Sequence, residues 1–172
     1  MAAHPACFDD AARGLRATHG ERMTSGSVLT DEQRQMLAAA MERILPAGRG
    51  PGATDADAIG YVEWWTQQDR FQSYVPCLAT GLALLESVAV TMWGKSFVAC
   101  TALEQDAVLR QLQNVPHATV QRFFVMLVRM TLAGFLCAPS YGGNRAGVGW
   151  EYIGFTPRPP TAGATTNGRA SS

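Results

Sequence analysis

Apolar positions along this chain recur in steps of three and four, and the polar residues between them mark where each run starts and stops. Leu29-Thr30-Asp31-Glu32-Gln33 opens the first run. Thr30 is placed to cover an orphan amide and Gln33 to reach back, a capping box. Met36, Leu37, Met41, Ile44 and Leu45 then form one helical stripe that Pro46 stops. The turn-rich linker AGRGPGATDAD follows, with Thr54 or Asp55 as the cap of a second helix carrying Ile59, Val62 and Trp65 on one face. Trp64 falls off that stripe. Leu78, Leu82, Leu85, Val88 and Met92 predict a third helix over about 73–93, broken by Gly94-Lys95, with Phe97 anchoring the turn. Thr101-Ala102-Leu103-Glu104 is a second capping box, opening a short helix with Leu103, Val108, Leu109 and Leu112. Beyond Pro116, the residues Val120, Phe123, Phe124, Leu127, Val128, Thr131 and Phe135 keep the strongest helical spacing, and Leu132 and Leu136 widen the stripe.

Strand signals are nearly absent. Only Trp150–Phe155 reads as extended, as a single segment lying on the helices. The pattern therefore predicts an all-α fold of about five main helices with a long ordered Gly/aromatic-rich C-terminal loop over 134–155. That loop combines glycine freedom with Tyr141, Trp150, Tyr152 and Phe155, whereas ordinary loops are polar and carry few large aromatics. The chain divides into a mobile polar arm over 1–28, with room for a short helix near 8–17, a helical domain over 29–155, and a low-complexity, disordered tail over 156–172.

Composition narrows the function classes. At 172 residues the chain is long enough to bury a core without disulfides. Hydrophobic residues make up 47% and charged residues only 16%, which favours a second apolar surface covered in a complex. The 14 basic and 14 acidic residues balance and form no basic stripe, so nucleic acid is not an expected partner. Cys7, Cys77, Cys100 and Cys137 are scattered, with no CxxC, and only His4, His19 and His117 could assist them, so no metal site is expected. An intermolecular disulfide, if one exists, falls to Cys137 beside the glycine-rich loop. No run approaches ~18 apolar residues, and no membrane span is expected. The first residues hold neither an apolar signal core nor an Arg-Arg pair. The expectation is a cytoplasmic protein, or a periplasmic one if the start is truncated or a partner carries the signal.

No catalytic set stands out. Asp55 and Asp57, like Glu104 and Asp106, sit beside helix starts and read as caps and dipole complements. His117 reads as a surface or capping residue. Tyr141-Gly142-Gly143-Asn144-Arg145 could cradle a phosphate, but it does not open a helix after a strand. A glycine-permitted turn locked by Asn144 side-chain bonds explains it better. Aromatics flanked by Arg145 have the composition of a binding hot spot. The candidate partner-binding residues are Pro139, Tyr141, Gly142, Gly143, Asn144, Arg145, Trp150 and Phe155.

These residues also carry a resemblance. The chain is similar to the gluconate 2-dehydrogenase subunit 3 family over about 29–155. The likeness runs through Leu29-Thr30, Arg43-Ile44-Leu45-Pro46, Gly50-Pro51-Gly52-Ala53, Ala56, Tyr61, Gly94-Lys95-Ser96-Phe97 and Phe123-Phe124. It closes on Thr131, Gly134-Phe135, Pro139-Ser140-Tyr141-Gly142-Gly143-Asn144-Arg145 and Gly149-Trp150-Glu151-Tyr152-Ile153-Gly154-Phe155. The resemblance implies a non-catalytic small subunit that binds no cofactor itself. Its partner would be a large FAD-dependent dehydrogenase of the glucose–methanol–choline type, with a cytochrome subunit in many complexes. Two alternatives stand beside it: a subunit that contributes residues to the substrate entrance of the shared active site, and an independent helical protein-binding module. Many family members carry a twin-arginine signal, and the residues that precede the first helix here hold no Arg-Arg pair.

Overall fold

Both capping boxes close as the sequence predicts. In the computed structural model, which describes residues 28–158, Thr30 Oγ1 accepts the Gln33 amide at 3.2 Å while Gln33 Oε1 accepts the Thr30 amide at 3.1 Å. Helix α1 (Asp31–Ile44) starts there and buries Leu37, Ala40 and Met41. Helix α4 (Ala102–Asn114) repeats the device, with the Thr101 amide 2.7 Å from Glu104 Oε2.

Between α1 and helix α2 (Ala58–Thr66) the linker is organised by one carboxylate. Glu42 accepts the Ala47 amide at 2.9 Å, the Thr54 amide at 2.9 Å and the Thr54 hydroxyl at 2.6 Å. Neither Thr54 nor Asp55 caps α2. Thr54 is held by Glu42, and Asp55 accepts the Gly52 amide at 2.8 Å. The helix starts instead after Asp57, left-handed at φ 51°, which makes no side-chain cap bond. Burial alone would raise the Glu42 carboxyl, but the bonds from Thr54 and Ala47 outweigh it and hold the group below its ordinary value of 4.5. A depressed carboxyl contributes stability that is full above the ordinary value and fades as pH falls through the lowered one. Glu42→Gln is therefore expected to lose about 1–2 kcal/mol near neutral pH. In urea titrations its deficit against the wild type should shrink in acid; a deficit constant with pH would refute this account.

A 3-10 turn (Asp69–Tyr74) leads into helix α3 (Val75–Trp93), two residues later than the apolar spacing predicts because the extra turn precedes Pro76. Gly94, at φ 65°, ends α3 in the left-handed conformation. Phe97 is fully buried, its amide bonded to Glu86 Oε2 at 2.9 Å and its carbonyl to Gln105 Nε2 at 3.0 Å. Lys95 pairs with Glu104 at 2.7 Å, and Arg43 with Asp106 at 2.7 Å, which ties α1 to α4.

Helix α5 (Ala118–Leu136) packs against all four preceding helices, and the core lies around it. Phe123 and Leu127 are buried at its centre, with the Phe123 ring against Gly81 of α3, where any side chain would collide with it. Two expectations need correction. Leu103, Leu132 and Leu136 are exposed, at 79%, 45% and 39%, so Leu132 and Leu136 do not widen the buried stripe. They sit about 100° around the helix from Thr131 and Phe135, beyond the reach of the neighbours that cover those residues. The segment expected to be extended holds a sixth, short helix, α6 (Val148–Tyr152), on the far side of the loop.

Among the described residues there are helices and no strand, and the fold is all-α. The expected arm over 1–28 and tail over 156–172 fall almost wholly outside the described residues. Two stretches, 71–93 and α5, are long and apolar enough to cross a membrane by length and composition, which the search for apolar runs overlooked. Core helices meet the same test, and α5 is one. Only 28% of the apolar window in 71–93 is buried, so much of its surface faces outward.

Candidate functional site

Motifs from four parts of the sequence meet at one junction, where the linker, α2, the end of α5 and the C-terminal loop come together. The chemical problem there is the end of α5, whose last carbonyls have no helical partner. The loop supplies one. Asn144 N–H donates to Gly134 O at 2.7 Å, Asn144 Nδ2 donates to Cys137 O at 2.9 Å, and the Trp150 indole Nε1 donates to Leu136 O at 2.7 Å. Asn144 Oδ1 in turn accepts the Gly149 amide at 2.8 Å. Asn144 is fully buried, left-handed at φ 47°, and bonded through both ends of its side chain. It is the lock of the turn, and none of it is presented to a partner.

Glycines let the backbones meet. Gly60 of α2 lies against the Gly142 carbonyl, Gly134 of α5 against the Ala58 backbone, and Gly143 against Gly134; a Cβ at any of them would overlap backbone atoms. The loop amides are committed within the chain. Gly142 N–H donates to Pro139 O at 3.1 Å and Arg145 N–H to Ala56 O at 2.9 Å. With Asn144 bonded to Gly134, the amides of Gly142, Asn144 and Arg145 are all taken within the chain, so this loop does not form a phosphate cradle.

Asp57, which the sequence places as a cap, pairs with Arg145 across the junction. The Asp57 side chain is 24% exposed and the Arg145 side chain 68%. Asp57, Asn144 and Ala146 are the left-handed non-glycine residues of the described chain, and all three lie here. Such conformations are held only where surrounding contacts over-determine them. On the outer side, Trp64 stacks on Tyr61 with ring centroids 5.9 Å apart and meets Tyr141 at a tilt at 4.6 Å, which is where this off-stripe tryptophan goes. Trp65 is buried against Phe71 at 4.8 Å.

The short α6 ends in a Schellman motif. Phe155 N–H returns to Trp150 O at 2.8 Å, Gly154 N–H bonds Glu151 O at 3.1 Å, and Gly154 is left-handed at φ 68°. The Phe155 ring meets Trp150 edge-on at 5.3 Å, the apolar contact that accompanies this cap. The residues singled out from the sequence thus separate into two groups. Gly143 and Asn144 are buried against the chain's own helices, Trp150 and Tyr141 are half-buried, and Pro139, Gly142, Arg145 and Phe155 reach the surface. Sequence reasoning missed Asp57, Gly60 and Gly134 at this site, although a glycine inside an apolar helix is itself a signal of close packing.

Cys137 is only 6% exposed, its Sγ donating to Gly134 O at 3.7 Å. An intermolecular disulfide through it does not fit that burial. Desolvation pushes the thiol up to about 11, against smaller opposing effects of the Gly143 amide and its own. A raised value means the folded chain favours the thiol: this stability is full below the ordinary 9.0 and is lost as pH rises towards 11. Native protein treated with iodoacetamide at about pH 8 should leave Cys137 unmodified, with reaction only after unfolding. Rapid native labelling, read by peptide mass, would contradict this burial.

The model of the family described as Gluconate 2-dehydrogenase subunit 3 matches residues 31–157, which span every described helix and the whole junction. No curated protein and no solved structure matches the chain significantly.

Proposed function

Because this chain belongs to the gluconate 2-dehydrogenase subunit 3 family, we propose that it is the small, non-catalytic subunit of an oxidoreductase complex. It binds and stabilises a large FAD-dependent dehydrogenase of the glucose–methanol–choline type, which oxidises a sugar, a sugar acid or a related alcohol. The observation that carries this reading is the orientation of the junction. Its polar groups close on the chain's own backbone, through Asn144, the Trp150 indole and the amides of Gly142 and Arg145. The same elements turn Phe155, Leu132 and Leu136 outward. A catalytic or cofactor-binding loop needs polar groups free to meet a ligand, whereas a docking platform needs rigid apolar surface. In this reading FAD is held by the large subunit, and any cytochrome subunit receives electrons from it without chemistry on this chain.

Co-expression with a candidate large FAD-dependent subunit, followed by size-exclusion chromatography read at flavin wavelengths, tests the proposal. The expected result is co-elution with a yellow protein that is insoluble or colourless when made alone. A flavoprotein that is soluble, loaded and active alone, beside a separately running monomer of this chain, would overturn it.

A further inference from the structure

The outer face of α5 leaves an apolar strip uncovered that continues into the C-terminal turn. Val125, Leu132 and Leu136 are 43%, 45% and 39% exposed and stand at helical spacings of seven and four on one side of α5. The Trp150 indole bonds the Leu136 carbonyl, and Phe155, 50% exposed, packs on Trp150, so the strip continues without a break onto the Schellman turn. At its other end an open groove of about 520 Å³ lies beside Phe124, Val125 and Val128. We propose that this strip, from Val125 to Phe155, is where the large dehydrogenase subunit docks, a claim that rests on the function proposed above.

Three observations favour that occupant. The strip is built on a core helix and a capped turn, so little conformational freedom is lost when it is covered. The helix carries Arg122 and Arg129 but no carboxylate, which fits a partner with an apolar centre and a neutral or acidic rim. Area decides between a large partner and a second copy. The exposed parts of these side chains sum to on the order of 400 Å², whereas a stable interface needs about 800 Å² on each partner. Two strips laid against each other fall short of that. A larger protein reaching past the strip to Pro139 and Tyr141, both at the surface or half-buried, does not.

The test is a tagged full-length chain co-expressed with the large FAD-dependent subunit, comparing wild type, the double variant L132E/L136E, and L103E. Leu103 is 79% exposed on α4 and serves as the control. Circular dichroism and thermal melting establish that each variant is folded. The expected result is an about tenfold or greater loss of co-purified flavin with the double variant and none with L103E. If the double variant does not fold, hydrogen exchange on the wild-type complex takes its place, with slowed exchange over 125–136 expected on assembly. Undiminished assembly of a folded double variant, or unchanged exchange over 125–136, overturns the inference and leaves the accessory-subunit reading standing. Loss of self-association with the flavoprotein still bound also overturns it, in favour of a second copy. Failure of the wild-type chain to bring down any flavin rejects the function itself.

Discussion

Asn144→Ala should destabilise the domain by about 4 kcal/mol, the largest single-residue effect expected in the loop. Two buried groups lose their partners: the Cys137 carbonyl, which accepts from Asn144 Nδ2, and the Gly149 amide, which donates to Asn144 Oδ1. Each orphaned group costs roughly 1–3 kcal/mol. The left-handed backbone at φ 47° adds about 1 kcal/mol once asparagine is replaced by alanine. Asn144→Gly separates these contributions, because glycine tolerates the conformation but cannot make the bonds. It should recover about 1 kcal/mol relative to alanine. Asn144→Asp keeps an acceptor for Gly149 but turns a carboxylate oxygen towards the Cys137 carbonyl, and should be no better than alanine. Chemical denaturation of the three variants checks the series. A loss below about 1 kcal/mol for Asn144→Ala would mean that water replaces the side chain and that the lock is not needed.

Gly134→Ala is the second large effect, and it tests packing rather than bonding. Alanine gains about 1 kcal/mol of helix propensity over glycine, so in isolation the change would stabilise α5. Here the new Cβ falls on the Ala58 carbonyl and its neighbouring backbone atoms, which cannot swing away as a flexible side chain would. Overpacking of this kind costs about 1–3 kcal/mol or more, and a net loss of about 2 kcal/mol is expected. Gly48→Ala is the internal control: nothing lies within 4 Å of its added Cβ, and it should be close to neutral. A stabilised Gly134→Ala would show that the helices have slack at the junction and that the close approach is incidental.

How much of this was legible depended on how far apart the interacting residues are in sequence. The capping boxes at Thr30 and Thr101, the stop at Pro46 and the turn at Gly94 are short-range devices, and each was readable from a few neighbouring residues. The reading of Asn144 as the lock of its turn held for the same reason. Its place among the surface candidates did not, because burial depends on α5 and α6 closing over it. Trp150–Phe155 was readable and misread. Aromatics favoured an extended segment, yet Trp150, Gly154 and Phe155 stand at the offsets of a helix C-cap with its apolar contact. Leu132 and Leu136 show a different limit: periodicity tells which residues share a face, but not how wide a face the neighbours cover. The pairing of Asp57 with Arg145, 88 residues apart, left no local trace.

That distance bears on the order in which the domain is assembled. A chain leaving the ribosome presents all five long helices before Arg145, which pairs with Asp57 at the start of α2, has emerged. Joining segments so remote must overcome the entropy of a long closed loop, so it is rewarded only after the helices have collapsed around α5. The strap is then expected to form late, so that its contribution falls on the unfolding rate. Damage to it should leave the refolding arm of the chevron nearly unchanged and raise the unfolding rate. A domain with this property is expected to come apart first at the clasp between its linker and its C-terminal turn.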